Sequence, residues 1–225
     1  MRAYRQKAKG GIGLGPLEGS LLGLLSLLLS FTFQMAAQRY DQRRSLLIEE
    51  TNRIGTAILR SDLFQKKDRQ EVRGLFKDYV KSRIAYYEAA ADTKRIDSAI
   101  AESNRISKAI WNRAIQSNLL PQERLMLIAA INDMIDVVTT RESMREATIP
   151  NTILWLLMML SFLSSIVIGY CTESRLLDSI IAQAFTVVVC LTVFIILDLD
   201  RPRRGFITLQ TEQKHLTALM SDLTD

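Results

Sequence analysis

Glu49, Glu50, Asp133 and Asp136 are the side chains in this sequence best suited to chemistry, because four carboxylates brought together could form an oxygen-lined site for a hard cation. Asp198 and Asp200 make a second acidic pair at the end of an apolar run, at the level where such a pair could act on a lipid. The rest of a catalytic apparatus does not accompany them. There is no paired nucleophile and base, and one histidine, His215, with two cysteines, Cys171 and Cys190, makes neither a zinc ligand set nor a disulfide framework. The run Gly10 to Gly15 follows no strand and lacks the Lys-Ser/Thr ending of a phosphate-binding loop. Helical spacing accounts for the acidic residues with fewer assumptions, so the chain is read as a non-enzyme, with no cofactor and no metal expected.

The elements that must hold these residues are set by three uncharged runs. Gly19 to Ala37 contains no Asp, Glu, Lys or Arg and seven Leu, and its nineteen residues match the ~20 that a helix needs to cross a ~30 Å hydrocarbon layer. Two further runs, Ile153 to Tyr170 and Ser179 to Leu197, meet the same requirement. Each central apolar residue favours insertion by roughly 0.3–0.6 kcal/mol, and none of the three runs carries a charge that would oppose it at about 3 kcal/mol. A signal peptide is the competing reading of the first run, but the run is longer than a signal core and its helical pattern continues past Met35-Ala36-Ala37.

No strand pattern occurs, and the expected fold is an all-α integral membrane protein: three transmembrane helices plus a cytosolic helical-hairpin bundle inserted between the first and second spans. Residues 1–18 read as a flexible basic lead, 19–37 as the first span, 38–148 as the helical region, 149–170 and 178–197 as a hairpin of two spans, and 198–225 as a C-terminal tail. Within 38–148 the apolar positions predict a helix over Lys66 to Ala91, a second capped by Asp92 or Thr93, and a third opened by Pro121 after the break Asn118-Leu119-Leu120. Pro150 is placed to start the second span.

Ten basic residues (Arg39, Arg43, Arg44, Arg53, Arg141, Arg145, Arg201, Arg203, Arg204 and Lys214) flank the spans on the face holding 38–148 and the C-terminus, against five (Arg2, Arg5, Lys7, Lys9 and Arg175) on the other. That bias expects 38–148 and the C-terminus in the cytoplasm. The net charge of +5 is accounted for by this clustering rather than by a nucleic-acid partner.

Polar residues inside the first span fall on one face. Gly19, Gly23, Ser26, Ser30 and Gln34 recur every three or four residues, which allows either close packing of helices through small residues or a wet pathway. Past the span, Glu49, Asn52, Thr56 and Arg60 make a polar stripe that is either solvated or a partly buried network with Asn132 and Asp136. The cluster Asp198, Asp200, Arg201, Arg203 and Arg204 at the end of the third span reads either as an interfacial stop or as a ring of charges facing ions or docking the stripe.

Two stretches resemble a bacterial bestrophin-like family of unknown function: Glu18-Gly19-Ser20-Leu21-Leu22-Gly23 through Phe31-Thr32-Phe33 to Glu49-Glu50-Thr51-Asn52-Arg53-Ile54-Gly55-Thr56-Ala57, and Ile196-Leu197-Asp198-Leu199-Asp200-Arg201-Pro202-Arg203-Arg204-Gly205. Smaller likenesses at Ile131 to Asp136 and at Gly169-Tyr170 extend it over about Glu18 to Leu216. A more distant resemblance to bestrophins themselves rests on Leu29-Ser30-Phe31, Tyr40-Asp41 and Arg44. Family members usually carry a further span ahead of the Glu-Gly motif, for which this sequence offers no apolar run, and the tryptophan pair and acidic loop of true bestrophins have no counterpart. The resemblance implies a homo-oligomer, a pentamer by analogy, in a bacterial inner membrane. It would pass inorganic ions along an axis lined by Ser26, Ser30, Phe31, Phe33 and Gln34. The alternative is a non-conducting scaffold or sensor whose cytosolic helices bind a partner.

Overall fold

A computed structural model describes residues 14–171, 176–201 and 210–223. Every regular element among them is helical: α1 (Leu14–Ser61), α2 (Lys66–Glu88), α3 (Thr93–Ile115), α4 (Pro121–Glu146), α5 (Asn151–Cys171), α6 (Leu176–Asp200) and α7 (Gln210–Asp222). The stretch 1–13 expected to be a flexible lead lies outside the described residues, while 14–18, assigned to the same lead, already belong to α1. Three helices are long and apolar enough to cross a membrane, over Glu18–Ser61, Asn151–Gly169 and Ile180–Asp200.

The first of these is the longest element, 48 residues or about 70 Å at 1.5 Å per residue. It runs unbroken because nothing after Pro16 denies it a backbone donor, and its remaining glycines fall singly among strong helix formers. The chain divides into two compact units, Met1–Arg39 with Thr148–Asp200, and Tyr40–Ala147 with Arg201–Asp225.

In the first unit, Leu25, Thr32 and Ala36 of α1, Leu157, Leu160 and Ser164 of α5, and Val189, Ile196 and Leu199 of α6 are buried. Large apolar side chains such as Trp155, Met159, Phe162 and Val187 lie open, as an apolar solvent allows and water penalises. Two hydroxyls on α1 turn back onto their own backbone: Ser26 donates to Leu22 O at 2.8 Å and Thr32 to Leu28 O at 2.6 Å.

The second unit has a conventional core. Leu47, Ile54 and Ala57 of α1 meet Phe76 and Val80 of α2, Ile106 and Ile110 of α3, and Leu127, Ile131 and Met134 of α4. The helix ends follow local chemistry. The Asp92 carboxylate accepts from Arg95 N at 3.2 Å and starts α3, and Pro121 opens α4 with the Glu123 carboxylate accepting from Leu120 N at 3.1 Å. Between α2 and α3, Ala90 takes the left-handed conformation (φ 47°), which ends α2 at Glu88, three residues short of the expected Ala91.

Where the sequence reading left a tail, residues Gln210–Asp222 form α7. Leu216 joins the core of the second unit, with Leu219, Met220 and Leu223 packed against it. These apolar side chains recur at helical spacing, and Leu219 lies against α1 at Gly55, its Cδ2 3.4 Å from where a Cβ would stand.

Candidate functional site

Four groups of polar residues stand out, and the sequence singled out parts of each. On α1 in the first unit, Ser26, Ser30, Phe31, Phe33 and Gln34 are all exposed. The covered face of the same stretch is Leu25, Thr32 and Ala36. Ser26 is satisfied by its own backbone, whereas the Gln34 amide finds no hydrogen-bond partner among the described residues.

At the end of α6, Asp200 is buried and both its oxygens accept from Ile149 N, at 3.1 and 3.2 Å, with Arg39 Nη1 3.8 Å away. The backbone donor ahead of α5 is thereby satisfied by the last residue of α6. Asp198 is half-buried and Arg201 exposed; Arg203 and Arg204, expected in the same cluster, lie outside the described residues.

In the second unit the polar stripe lies on the surface of the chain. Glu49, Asn52 and Thr56 are exposed and Arg60 is half-buried, donating to Met126 O at 2.6 Å. Asn132 and Asp136 bond to each other at 2.8 Å, and Arg53 joins Glu49 at 3.2 Å to Asp133 at 2.8 Å. Such exposed pairs contribute at most about 1 kcal/mol. The stripe is left outside because Leu47, Glu50, Thr51, Ile54 and Ala57 occupy the covered face of α1.

Glu50, on that covered face, is the centre of a buried ionic cluster. Its carboxylate is 0% exposed and accepts from Arg83 Nε of α2 at 2.5 Å and from the Tyr87 hydroxyl at 2.8 Å, and Arg141 Nη1 of α4 lies 2.9 Å away. Arg141 also donates to the Tyr87 hydroxyl and to Glu142, and Arg145 closes on Glu142 at 2.8 Å. The Tyr86 ring lies beneath both cations, 4.6 Å from the Arg83 guanidinium carbon and 4.4 Å from that of Arg141, and meets Tyr87 edge-on at 5.3 Å. Planar guanidinium groups are suited to this double use, bonding a carboxylate in plane and stacking on a ring.

Burial and charge act against each other here. Burial is the strongest single influence on Arg83 and opposes its charge, but the Glu50 carboxylate together with Tyr79 and Tyr86 outweighs it, and the guanidinium holds its proton more tightly than a free arginine. For Arg141 burial wins over Glu50, helped by the Arg83 charge, and the proton is held less tightly than usual. Burial pushes the Tyr79 hydroxyl up to about 12 against the pull of Arg83. Burial raises Glu142, but hydrogen bonds from Tyr86 and Arg145 more than offset it and hold the carboxyl below its ordinary value.

Arg83, Tyr86 and Tyr87 are not among the sequence candidates for a site; Glu50 enters there only as one of four carboxylates for a cation, and Arg141 only as a basic residue flanking a span. One signal was available. Glu50 interrupts the apolar spacing Leu47, Ile54, Ala57, and Arg83 interrupts that of Phe76, Tyr79, Val80, Tyr87, so each charge occupies a core position. The four carboxylates weighed as a metal site are engaged otherwise: Glu49 and Asp133 with Arg53, Asp136 with Asn132, and Glu50 with two guanidinium groups.

Helices of membrane-spanning length and composition in one unit, and a helical bundle with a charged interior in the other, define an all-α membrane protein. The chain belongs to the bestrophin-like family: the model of the bestrophin-like domain matches residues 19–213. Its fold is that of a bacterial bestrophin homologue from Klebsiella pneumoniae. Crystal structures of three variants of that protein give TM-scores of 0.76, 0.75 and 0.77 at 12%, 14% and 13% identity, covering 99% of this chain and 92%, 92% and 90% of theirs. At such identity the likeness is one of fold. No curated protein matches the chain.

Proposed function

We infer that this chain is the subunit of a homo-oligomeric ion channel whose first span lines the axis. The observation that carries the reading is Gln34. An amide without a partner inside its own chain costs several kcal/mol in hydrocarbon, so this side of α1 faces water or another subunit rather than lipid. Ser30, on the same side, and Phe31 and Phe33, which are open in the single chain, would line the passage with it, with Phe rings as the constriction. The family assignment and the bestrophin fold support ion transport as the activity. The excess of basic residues flanking residues 38–148 supports a cytoplasmic bundle in a bacterial inner membrane.

Purified protein in liposomes should pass inorganic ions, and substitution of Ser30 or Phe33 should change the current. Ion-tight vesicles containing folded oligomer would defeat the reading. A non-conducting scaffold is the second reading, favoured by the Arg53 bridge, which ties the α1 stripe to α4 within one chain and leaves the bundle surface to a partner. In that case flux stays at the level of empty vesicles while the oligomer remains intact.

A further inference from the structure

The Glu50 cluster leaves donors over. Arg83 spends Nε on Glu50, while its Nη1 and Nη2, and Arg141 Nε in the same cluster, are buried without a hydrogen-bond partner. Arg83 is 0% exposed, so no second chain can reach those nitrogens without the bundle opening. Every unpartnered buried side-chain atom in this cluster is a guanidinium nitrogen, and a guanidinium only donates. What completes the cluster must therefore accept hydrogen bonds without bringing donors of its own. A water there would have to return two O–H groups to acceptors, whereas a monatomic anion returns none; Glu50 Oε1 already takes Arg83 Nε, and Oε2 takes the Tyr87 hydroxyl and Arg141. The charge count points the same way. Glu50 meets Arg83 and Arg141, and Glu142 meets Arg141 and Arg145, so the cluster sets three guanidinium cations against two carboxylates.

We propose that this cluster is a binding site for a small inorganic anion, held by Arg83 Nη1 and Nη2 with Arg141 Nε as the further donor. The anion neutralises the surplus cation and supplies the acceptor that the bundle lacks, so it locks α1, α2 and α4 together through Glu50, Arg83 and Arg141. The Tyr86 ring holds both guanidinium planes in place, so that the donors are organised before the anion arrives. The site belongs to the second unit and the α1 residues assigned to ion passage to the first, and the proposal does not depend on whether the protein conducts.

The test uses the full chain in detergent, with chloride exchanged for gluconate at constant ionic strength. Chloride should raise the melting temperature saturably, by about 5–10 °C at a hundred times its Kd for a chain of this size. Arg83→Gln should abolish that dependence, and Arg83→Lys, which keeps one charge but loses the fork, should shift it to at least tenfold higher chloride. Crystals of the unaltered protein grown in bromide supply a measurement that needs no variant: an anomalous peak within hydrogen-bonding distance of Arg83 Nη supports the site. Equal melting in chloride and gluconate, or a bromide-free Arg83 with water alone on Nη1 and Nη2, overturns it.

Discussion

Glu50 and Arg83 meet at 2.5 Å with neither side chain reaching solvent, one on the long first helix and the other 33 residues further on. A buried pair of this kind is costly to form and costlier to break, because removing one partner strands the other charge inside the protein. Glu50→Ala and Arg83→Ala should each destabilise the bundle by about 3–5 kcal/mol, read from denaturant unfolding followed by far-UV circular dichroism. The double replacement Glu50→Leu with Arg83→Met should cost less than Glu50→Ala alone, which strands both Arg83 and Arg141. If the single losses simply add in a double-alanine variant, the two side chains are not coupled.

Tyr79 gives the bundle a dependence on alkaline pH. Its hydroxyl lies inside the core and is pushed up to about 12, while in the unfolded chain it ionises near 10. The folded state therefore keeps a proton that the unfolded state releases, so stability from this group is whole below pH 10 and is lost as pH climbs through about 12. At about 1.4 kcal/mol per unit, the loss amounts to about 2–3 kcal/mol across that window. Tyr79→Phe should flatten this part of the stability profile. An unchanged alkaline slope in the variant would place the titration elsewhere.

Ala90 sits in the turn between α2 and α3 with φ 47°, where a side chain is disfavoured and glycine is not. Ala90→Gly should therefore stabilise the protein, by about 1 kcal/mol, the reverse of what the substitution does inside a helix. A rise in melting temperature of about 2–4 °C is the expected reading for a chain of this length.

Much of this architecture was legible in the sequence because its causes are local. Uncharged runs mark the spans, Asp92 and Pro121 mark helix starts, and Val72, Phe76 and Val80 betray the covered side of α2 by their spacing. The buried cluster was not legible for the opposite reason. Glu50 beside Glu49 looks like one more solvated acid, and its partners on α2 and α4 come from distant sequence that no local pattern connects. Residues 198–225 read as a tail because their charges hide Leu216, Leu219 and Met220, and only the docking surface offered by the rest of the bundle, α2 included, makes that stripe worth folding.

Asp200 carries the structural side of the charged segment after the third apolar run. Accepting Ile149 N on both oxygens, it satisfies a buried backbone donor that no other described group takes up. Asp200→Ala should cost about 1–3 kcal/mol, while Arg201→Ala, at an exposed position, should fall within about 0.5 kcal/mol of the parent. Equal effects at the two positions would mean that the charge of the segment matters rather than the hydrogen bond.

Gln34 separates the conducting reading from a lipid-facing one by the sign of two measurements. If its amide faces a water-filled axis, Gln34→Leu leaves the fold intact and dries the passage. Flux through liposomes should then fall about tenfold, which a barrier increase of only about 1.4 kcal/mol is enough to produce. If the amide faces hydrocarbon instead, the same change removes a desolvation penalty, so melting in detergent rises and flux does not change. Gln34→Asn keeps the amide and should keep the flux in the first case. Measuring flux and melting on one preparation of each variant distinguishes the two, because loss of flux without loss of stability is reachable only if Gln34 lines the path of the ions.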